Sequence, residues 1–343
     1  MIGISFYLND PLAEERIAMA GKLGVKRAFT SLHIPEESGD LAGRAMMLLQ
    51  CAKEAGIEVY ADVSLKTPGH LGLDSLFDLK SLGVSGLRLD DFFENELILK
   101  LAREFKLALN ASILFEDDIR ELLDGGLKAD QLLAWHNFYP RIETGLSDWF
   151  FQKQNELFGK YGIPVSAYIP GDGEKRGPLF EGLPTLEEHR EMDPFLAALE
   201  LFHFGVEDVY IGDPEVSEAL LRKLIDFDRD HSVFLRIEGY QEGEFKLRPD
   251  FSRDVLRLMD TRSVDHIAPS NTTERFVGSI TRDNDLYGRY RGEVQIALCD
   301  LPADDRVNVV GRVVEEDILL LSYLKPGQKI KLIHDNRLEG VLV

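Results

Sequence analysis

Gly86-Leu87-Arg88-Leu89-Asp90-Asp91 is a short apolar run that stops on two aspartates. Five other stretches have the same form, in which a few apolar residues end on polar or charged ones: residues 3–9, 58–62, 107–112, 135–140 and 209–214. In an alternating β/α architecture, the carboxyl ends of parallel strands are where catalytic groups are placed. The pattern therefore predicts an enzyme whose site draws on several strands.

Strand-like runs alternate with amphipathic helical segments through the first two thirds of the chain. The runs begin near Ile2, Val25, Ile57, Gly86, Leu107, Leu132, Val165 and Asp208. Several helices end on a glycine before the next apolar run, as in Lys22-Leu23-Gly24-Val25. Glycine suits that position because it adopts the left-handed cap conformation without a Cβ clash. Eight such units predict an α/β fold, a (β/α)8 TIM-type barrel.

An open, doubly wound sheet is the structural alternative to the barrel. Such sheets that bind dinucleotides carry a glycine-rich fingerprint after the first strand. Here that position reads Leu8-Asn9-Asp10-Pro11-Leu12, so the barrel is favoured. After Asp228 the pattern changes to strand-like runs at residues 232–240, 275–281, 293–298, 307–313 and 328–333, with one helical turn expected at residues 250–259. This pattern predicts a small all-β second domain. We place the catalytic barrel domain at residues 1–238 and the β domain at 239–343.

The composition restricts the partners and the location. Lys and Arg total 39 against 60 Asp and Glu, a formal charge of −21. Such an acidic chain repels nucleic acid and anionic membranes, so we expect neither as a partner. Two isolated cysteines, an amino terminus without a signal-peptide pattern and the lack of long apolar runs favour the cytoplasm. The residue pattern predicts no cofactor.

Carboxylates at strand ends are the candidate catalytic groups. Asp62 follows the predicted third strand, and Asp90 and Asp91 follow the fourth. Neighbouring strands lie about 4.8 Å apart, so these groups can approach one another. Glycoside hydrolysis needs such a pair, one acid and one nucleophile or base. Glu143, on a later loop, is a fourth candidate. The alternative is that these aspartates cap helices.

Two further stretches carry candidate substrate-binding groups. The segment 135–147 combines aromatic rings with His136, Asn137, Tyr139 and Arg141, a mixture suited to sugar recognition, although a histidine there is also typical of a core. A long loop rich in Gly and Pro places Lys175 beside Arg176, an arrangement suited to phosphate, although a solvated turn fits equally.

Lys66 lies just past the third strand and is a contact for a substrate anion, a Schiff-base lysine or a simply exposed side chain. His33, His70 and Asp62 raise the question of a metal. No fixed-spacing ligand motif accompanies them, so we predict no metal site.

Together, several motifs resemble one protein family. They are residues 3–9, 29–36, 62–64, 87–90, 136–141, 176–187, 270–275 and 283–290. With these motifs the chain resembles the MupG-like 6-phospho-N-acetylmuramidases, a family formerly described as a domain of unknown function and sometimes labelled outer surface proteins. The resemblance spans nearly the whole chain. It implies a barrel followed by a cyclophilin-like β-barrel domain.

The resemblance also implies an activity: hydrolysis of the β-1,4 bond of N-acetylmuramic acid 6-phosphate–N-acetylglucosamine during cytoplasmic cell-wall recycling. That disaccharide carries a phosphate and a lactyl carboxylate, which gives the cationic candidates a role. The substrate-binding set is Lys66, Arg88, His136, Asn137, Tyr139, Arg141, Lys175, Arg176 and Glu181. The alternatives are a phosphosugar aldolase or isomerase and a non-catalytic phosphosugar-binding protein. Whether the protein forms a homodimer is left open by the sequence.

Overall fold

The structure, a computed structural model, describes residues 1–32, 41–90 and 93–334. The chain divides into two compact units, Met1–Ile225 and Asp226–Val343. Our predicted boundary, between residues 238 and 239, falls just after the first strand of the second unit, Val233–Glu238. No helix in the described part of the chain is both long and apolar enough to cross a membrane.

The first unit is a closed barrel of eight parallel strands, which confirms the predicted TIM-type fold. Each strand pairs with the next in the sequence, and β8 closes the ring onto β1. The strands are β1 Ile2–Ser5, β2 Arg27–Ser31, β3 Glu58–Val63, β4 Val84–Leu89, β5 Lys106–Asn110, β6 Leu132–Trp135, β7 Val165–Ile169 and β8 Asp208–Ile211. Closure leaves no strand edge unpaired.

Helices alternate with these strands. They are α1 Ala13–Leu23, α2 Leu41–Glu54, α3 Thr67–Leu71, α4 Asn95–Leu101, α5 Glu116–Asp124, α6 Asp148–Lys160, α7 Pro194–His203 and α8 Glu218–Asp230. Short 3-10 turns lie at Leu76–Lys80, Ala129–Gln131 and Glu187–Arg190. Gly24 ends α1 with φ 99°, the left-handed cap that the sequence predicts.

Aromatic rings fill the barrel where glycines leave space. A Cβ on Gly3 would lie 2.4 Å from the ring of Tyr210, and one on Gly86 would lie 2.3 Å from the ring of Tyr60. Trp135 joins the same buried cluster, with its ring centroid 4.2 Å from that of Tyr210. Two missing side chains on β1 and β4 therefore admit two tyrosines from neighbouring strands into the core.

The second unit is one mixed sheet of seven strands, in the order β10-β15-β9-β14-β12-β13-β11. The strands are β9 Val233–Glu238, β10 Gly243–Lys246, β11 Val255–Arg257, β12 Ser279–Asp283, β13 Val294–Ala297, β14 Val307–Val313 and β15 Lys329–His334. Only the β9–β15 pair is parallel among the pairings described. β10 and β11 were not predicted, and β11 lies where we expected a helical turn, at residues 250–259.

We predict that Gly86→Ala destabilises the protein by about 1–3 kcal/mol, because the added Cβ must displace the ring of Tyr60 inside a packed barrel. Urea unfolding measures the change. Gly159→Ala is the matched control, since a Cβ there meets nothing within 4 Å. The expectation is contradicted if both variants unfold at the wild-type midpoint.

Candidate active site

A buried arginine lies at the centre of the carboxyl end of the barrel, which we call the mouth. Arg88, on β4, is 4% exposed. Its Nη1 donates to Oδ1 of Asp62 on β3 at 2.7 Å, and its Nη2 donates to Oδ1 of Asn137, just past β6. Burial acts to lower the pKa of Arg88, but the charges of Asp62, Tyr168 and Asp90 and the hydrogen bond to Asp62 together outweigh it, and the pKa is raised. Arg88 is therefore a fixed cation.

Asp90 shares this guanidinium with Asp62. Its Oδ1 lies 3.4 Å from Nη1 of Arg88. The Oδ1 atoms of Asp62 and Asp90 therefore both lie within 3.4 Å of Nη1 of Arg88. The side chain of Asp62 is 8% exposed, whereas that of Asp90 is 35% exposed. One carboxylate is thus enclosed with the arginine, and the other reaches solvent.

Two asparagines and a serine complete this side of the mouth. Nδ2 of Asn110, the last residue of β5, donates to Oδ1 of Asn137 at 3.1 Å. The backbone N–H of Asn137 donates in turn to Oγ of Ser112 at 2.9 Å. These bonds fix the Asn137 amide so that its oxygen faces Arg88. Both amides come from adjacent strand ends, as the fold requires.

His136, also just past β6, is fully buried and turned towards α6. Its Nε2 lies 2.9 Å from Oδ1 of Asn155 on α6, and its Nδ1 lies 3.2 Å from Oγ of Ser112. Since Asn155 Oδ1 only accepts, Nε2 carries the proton and Nδ1 accepts from Ser112. Burial lowers the pKa of His136 to about 4. Both ring nitrogens have protein partners, so we omit His136 from the substrate contacts proposed below.

The loop after β7 is anchored by a buried aspartate that follows β8. Asp213, 1% exposed, accepts hydrogen bonds from the backbone N–H groups of Gly171 at 3.0 Å and Arg176 at 3.1 Å. Nζ of Lys175 lies 3.7 Å from Oδ2 of Asp213 and donates to the carbonyl of Gly171. Asp213 therefore fixes the backbone that carries both predicted phosphate-binding cations.

Tyr7, just past β1, connects this loop to the Arg88 cluster. The guanidinium of Arg176 lies 3.9 Å from the centroid of its ring. Its hydroxyl donates to the carbonyl of Gly212 at 2.5 Å. Burial raises the pKa of Tyr7, and the charges of Arg176, Asp213 and Asp62 also act on it. Both groups of charges lie at carboxyl ends of strands of the same closed barrel, and therefore at one mouth.

An ion pair between Arg190 and Glu187 holds the loops after β6 and β7 together, and we call it the clamp. Nε and Nη2 of Arg190 each lie 2.7 Å from a carboxylate oxygen of Glu187. Glu187 accepts from the backbone N–H groups of Glu143 and Gly145. The hydrogen bonds from Arg190, together with these, lower the pKa of Glu187 to about 2. Arg190 also donates to four backbone carbonyls, those of Tyr139, Arg141, Glu181 and Gly182.

The remaining predicted residues lie around this framework. Lys66, Arg141, Glu143 and Glu181 have exposed side chains, and Tyr139 is half-buried. Asp91 and His33 fall outside the described residues. Among the residues that the structure describes, no three His, Cys, Asp or Glu side chains come together in a group that suits a metal ion.

The sequence interpretation missed four residues that the structure brings to the mouth. They are Tyr7, Asn110, Tyr168 and Asp213. Each lies at the end of a strand or just past it. That position was the signal in the sequence that could have identified these residues. Tyr168 is fully buried, and burial raises the pKa of its hydroxyl, on which the charges of Arg88 and Asp62 act. Its OH has no hydrogen-bond partner among the described atoms.

Comparison with known proteins gives consistent matches over the whole chain. Residues 2–226 match the family model described as 6-phospho-N-acetylmuramidase, N-terminal, and residues 232–333 match its C-terminal counterpart. A crystal structure of a conserved protein of unknown function from Enterococcus faecalis is 35% identical, with a TM-score of 0.84, covering 99% of this chain and 98% of that one. An uncharacterized B. cereus protein is 27% identical, with a TM-score of 0.79, covering 97% and 99%. No curated protein matches the chain.

We predict that His136 makes stability depend on pH between its ordinary value of 6.5 and about 4. In that window the unfolded chain binds a proton that the folded protein excludes, so stability falls as the pH falls. The full effect is on the order of 3 kcal/mol. Denaturant unfolding across this range should show a flatter profile for His136→Gln than for wild type. Parallel profiles would contradict the assignment.

We predict that Glu187→Gln loosens the two loops without unfolding the barrel. Hydrogen exchange measured by mass spectrometry should accelerate at residues 139–145 and 181–182, because these N–H and carbonyl groups lose the clamp. Since the folded pKa is depressed from 4.5 to about 2, the wild-type clamp should persist above pH 4.5 and weaken as the pH falls towards 2. Glu188→Gln, an exposed neighbour, is the control, and equal exchange in both variants would refute the clamp.

Proposed function

Because this chain belongs to the 6-phospho-N-acetylmuramidase family, we propose that it hydrolyses the β-1,4 bond of N-acetylmuramic acid 6-phosphate–N-acetylglucosamine. The family description supports a glycosidase-type role in general terms. The substrate, the residues and the pathway are our inference. The observation that carries it is a pair of carboxylates, Asp62 and Asp90, sharing the buried Arg88 at the barrel mouth.

Within this cluster we assign Asp90 the direct role. It is the more exposed of the two carboxylates, so it can reach a bound sugar. Asp62 is enclosed and ion-paired to Arg88, and therefore orients the guanidinium that in turn positions Asp90. An ion-paired carboxylate suits a nucleophile, a base or a group that orients the substrate's acetamido group as it attacks. Negative charge there also stabilises the oxocarbenium-like transition state.

The proton for the leaving oxygen must come from a second group. In a retaining reaction that acid protonates the glycosidic oxygen as the anomeric carbon is attacked, and it then activates the water that releases the sugar. Glu143 is exposed on the loop after β6, where the clamp fixes its backbone, and we retain it as the donor candidate. Asp91, outside the described residues, is the other candidate.

The cations on the loop after β7 account for the phosphate. Lys175 and Arg176 are half-buried, and buried Asp213 fixes the backbone beneath them. In TIM barrels the loops after the seventh and eighth strands frequently form phosphate sites. Lys66 and Arg141 are exposed and available for the lactyl carboxylate. These positive groups offset the acidity of the chain where an anionic sugar must enter.

The pathway follows from the chemistry of this substrate. A disaccharide that is phosphorylated during uptake is formed inside the cell and does not leave unaided, so we place the enzyme in the cytoplasm, in cell-wall recycling. The aldolase alternative gains no support, because a Schiff-base lysine is activated by desolvation, whereas Lys66 is exposed.

We predict that Asp90→Asn lowers kcat for the 6-phosphorylated disaccharide about 10²–10⁴-fold while the thermal midpoint stays near wild type, because the side chain is partly exposed. Asp62→Asn should lower both activity and stability, since it removes the nearer carboxylate from buried Arg88 and leaves only Asp90, at 3.4 Å, as its carboxylate partner. Released N-acetylglucosamine is the activity readout.

Asp117→Asn, on the exposed surface of α5, is the control and should match wild type. The unphosphorylated disaccharide should be cleaved poorly by every variant. Near-normal turnover by Asp90→Asn would remove that residue from the mechanism. Equal turnover of both disaccharides by the wild type would refute the phosphosugar specificity.

A further inference from the structure

The backbone of Phe180 has a conformation that its side chain disfavours. Five non-glycine residues among those described have positive φ: Glu143, Phe180, His231, Asp260 and Asn271. Aspartate, asparagine and histidine are found in this region far more readily than a bulky apolar residue. Phe180, with φ 59°, is the one apolar member of this described set. A left-handed phenylalanine marks local strain, and such strain is common at ligand sites.

Burial of the ring does not compensate for that strain. The side chain of Phe180 is 60% exposed. A Cβ on Gly177 would lie 3.0 Å from Cζ of Phe180, so the ring lies against the bare backbone of Gly177. The N–H of Phe180 donates to the carbonyl of Arg176 at 3.1 Å, which closes a single turn. The turn therefore ties Phe180 to the backbone of Arg176, whose side chain we assign to phosphate, and leaves its ring exposed on the same loop.

The protein holds the strained turn from both sides. On one side, Arg176 is fixed through its backbone N–H to buried Asp213. On the other, the clamp residue Arg190 donates to the carbonyls of Glu181 at 3.0 Å and Gly182 at 3.2 Å. Strain persists only where the surroundings over-determine the backbone, and here they do. The backbone that carries Phe180 is therefore held in place without a ligand.

We propose that Phe180 is a stacking platform for the apolar face of the sugar whose 6-phosphate is bound by Lys175 and Arg176. The inference rests on the proposed function and adds a specificity determinant to it. Sugar rings carry C–H groups on one face, and an exposed aromatic ring is their usual partner. A purely structural turn would be better served by glycine or asparagine. The ring should contribute to binding of a phosphosugar but not of phosphate alone.

Calorimetric titration of the full chain with N-acetylmuramic acid 6-phosphate and, separately, with inorganic phosphate tests this proposal. For Phe180→Gly we expect the Kd for the phosphosugar to rise about tenfold, while the Kd for inorganic phosphate stays unchanged. The thermal midpoint should be no lower than wild type, because glycine adopts φ 59° without strain. Phe180→Tyr should restore phosphosugar affinity.

Further variants keep the result unambiguous. Phe180→Leu retains bulk without a flat ring and should weaken phosphosugar binding selectively, which covers the case in which the glycine variant folds poorly. Arg176→Gln should weaken both ligands. Phe77→Ala, on the turn leading into the amino end of β4, should change neither.

An unchanged ratio of the two Kd values in Phe180→Gly and Phe180→Leu would overturn the proposal, and so would wild-type protein that binds neither ligand. The proposed function is tested separately. If the Kd for the phosphosugar depends on Phe180 but the wild type releases no N-acetylglucosamine, the stacking platform is supported and the proposed hydrolysis is refuted. If the wild type hydrolyses the disaccharide but the Kd does not depend on Phe180, the proposed function is supported and the stacking platform is refuted.

Discussion

The mouth of the barrel depends on how one buried charge is neutralised. A guanidinium in the protein interior is tolerated only when its donors find carboxylate or carbonyl partners. Arg88 finds such partners for both of its Nη atoms, Asp62 on β3 and Asn137 beyond β6, while its Nε has no hydrogen-bond partner among the described atoms. The same bonds fix the strand ends relative to one another, and they leave Asp90 as the carboxylate that reaches solvent. The chemistry we assign to Asp90 is thus a consequence of how Arg88 is satisfied.

A second source of positive charge at the mouth is the loop after β7. The chain is strongly acidic, with a formal charge of −21, so anionic ligands are repelled at long range. Asp213 fixes the backbone of a loop that carries two cations, Lys175 and Arg176. The clamp between Arg190 and Glu187 then joins that loop to the one after β6. Rigid loops lower the entropy lost on binding, which favours a preorganised site for a charged sugar.

Local sequence patterns were sufficient for the barrel but less so for the second unit. Helix periodicity and glycine caps such as Gly24 are properties of neighbouring residues, and they predicted all eight β/α units. The strands Gly243–Lys246 and Val255–Arg257 are too short to show a period, and they form because longer strands offer them partners. The second was mistaken for a helical turn. Non-local pairing decided both.

For the site, the sequence alone determined which residue types gather at the strand ends, including Asp62, Arg88, Asp90 and Asn137. It did not determine which of two adjacent residues, His136 or Asn137, faces the mouth, because alternate side chains of a strand point to opposite faces and the register settles the choice. Nor did it show that Arg88 bonds to partners 26 and 49 residues away. Those pairings arise only when barrel closure brings distant strands side by side, so the tertiary structure alone decided them.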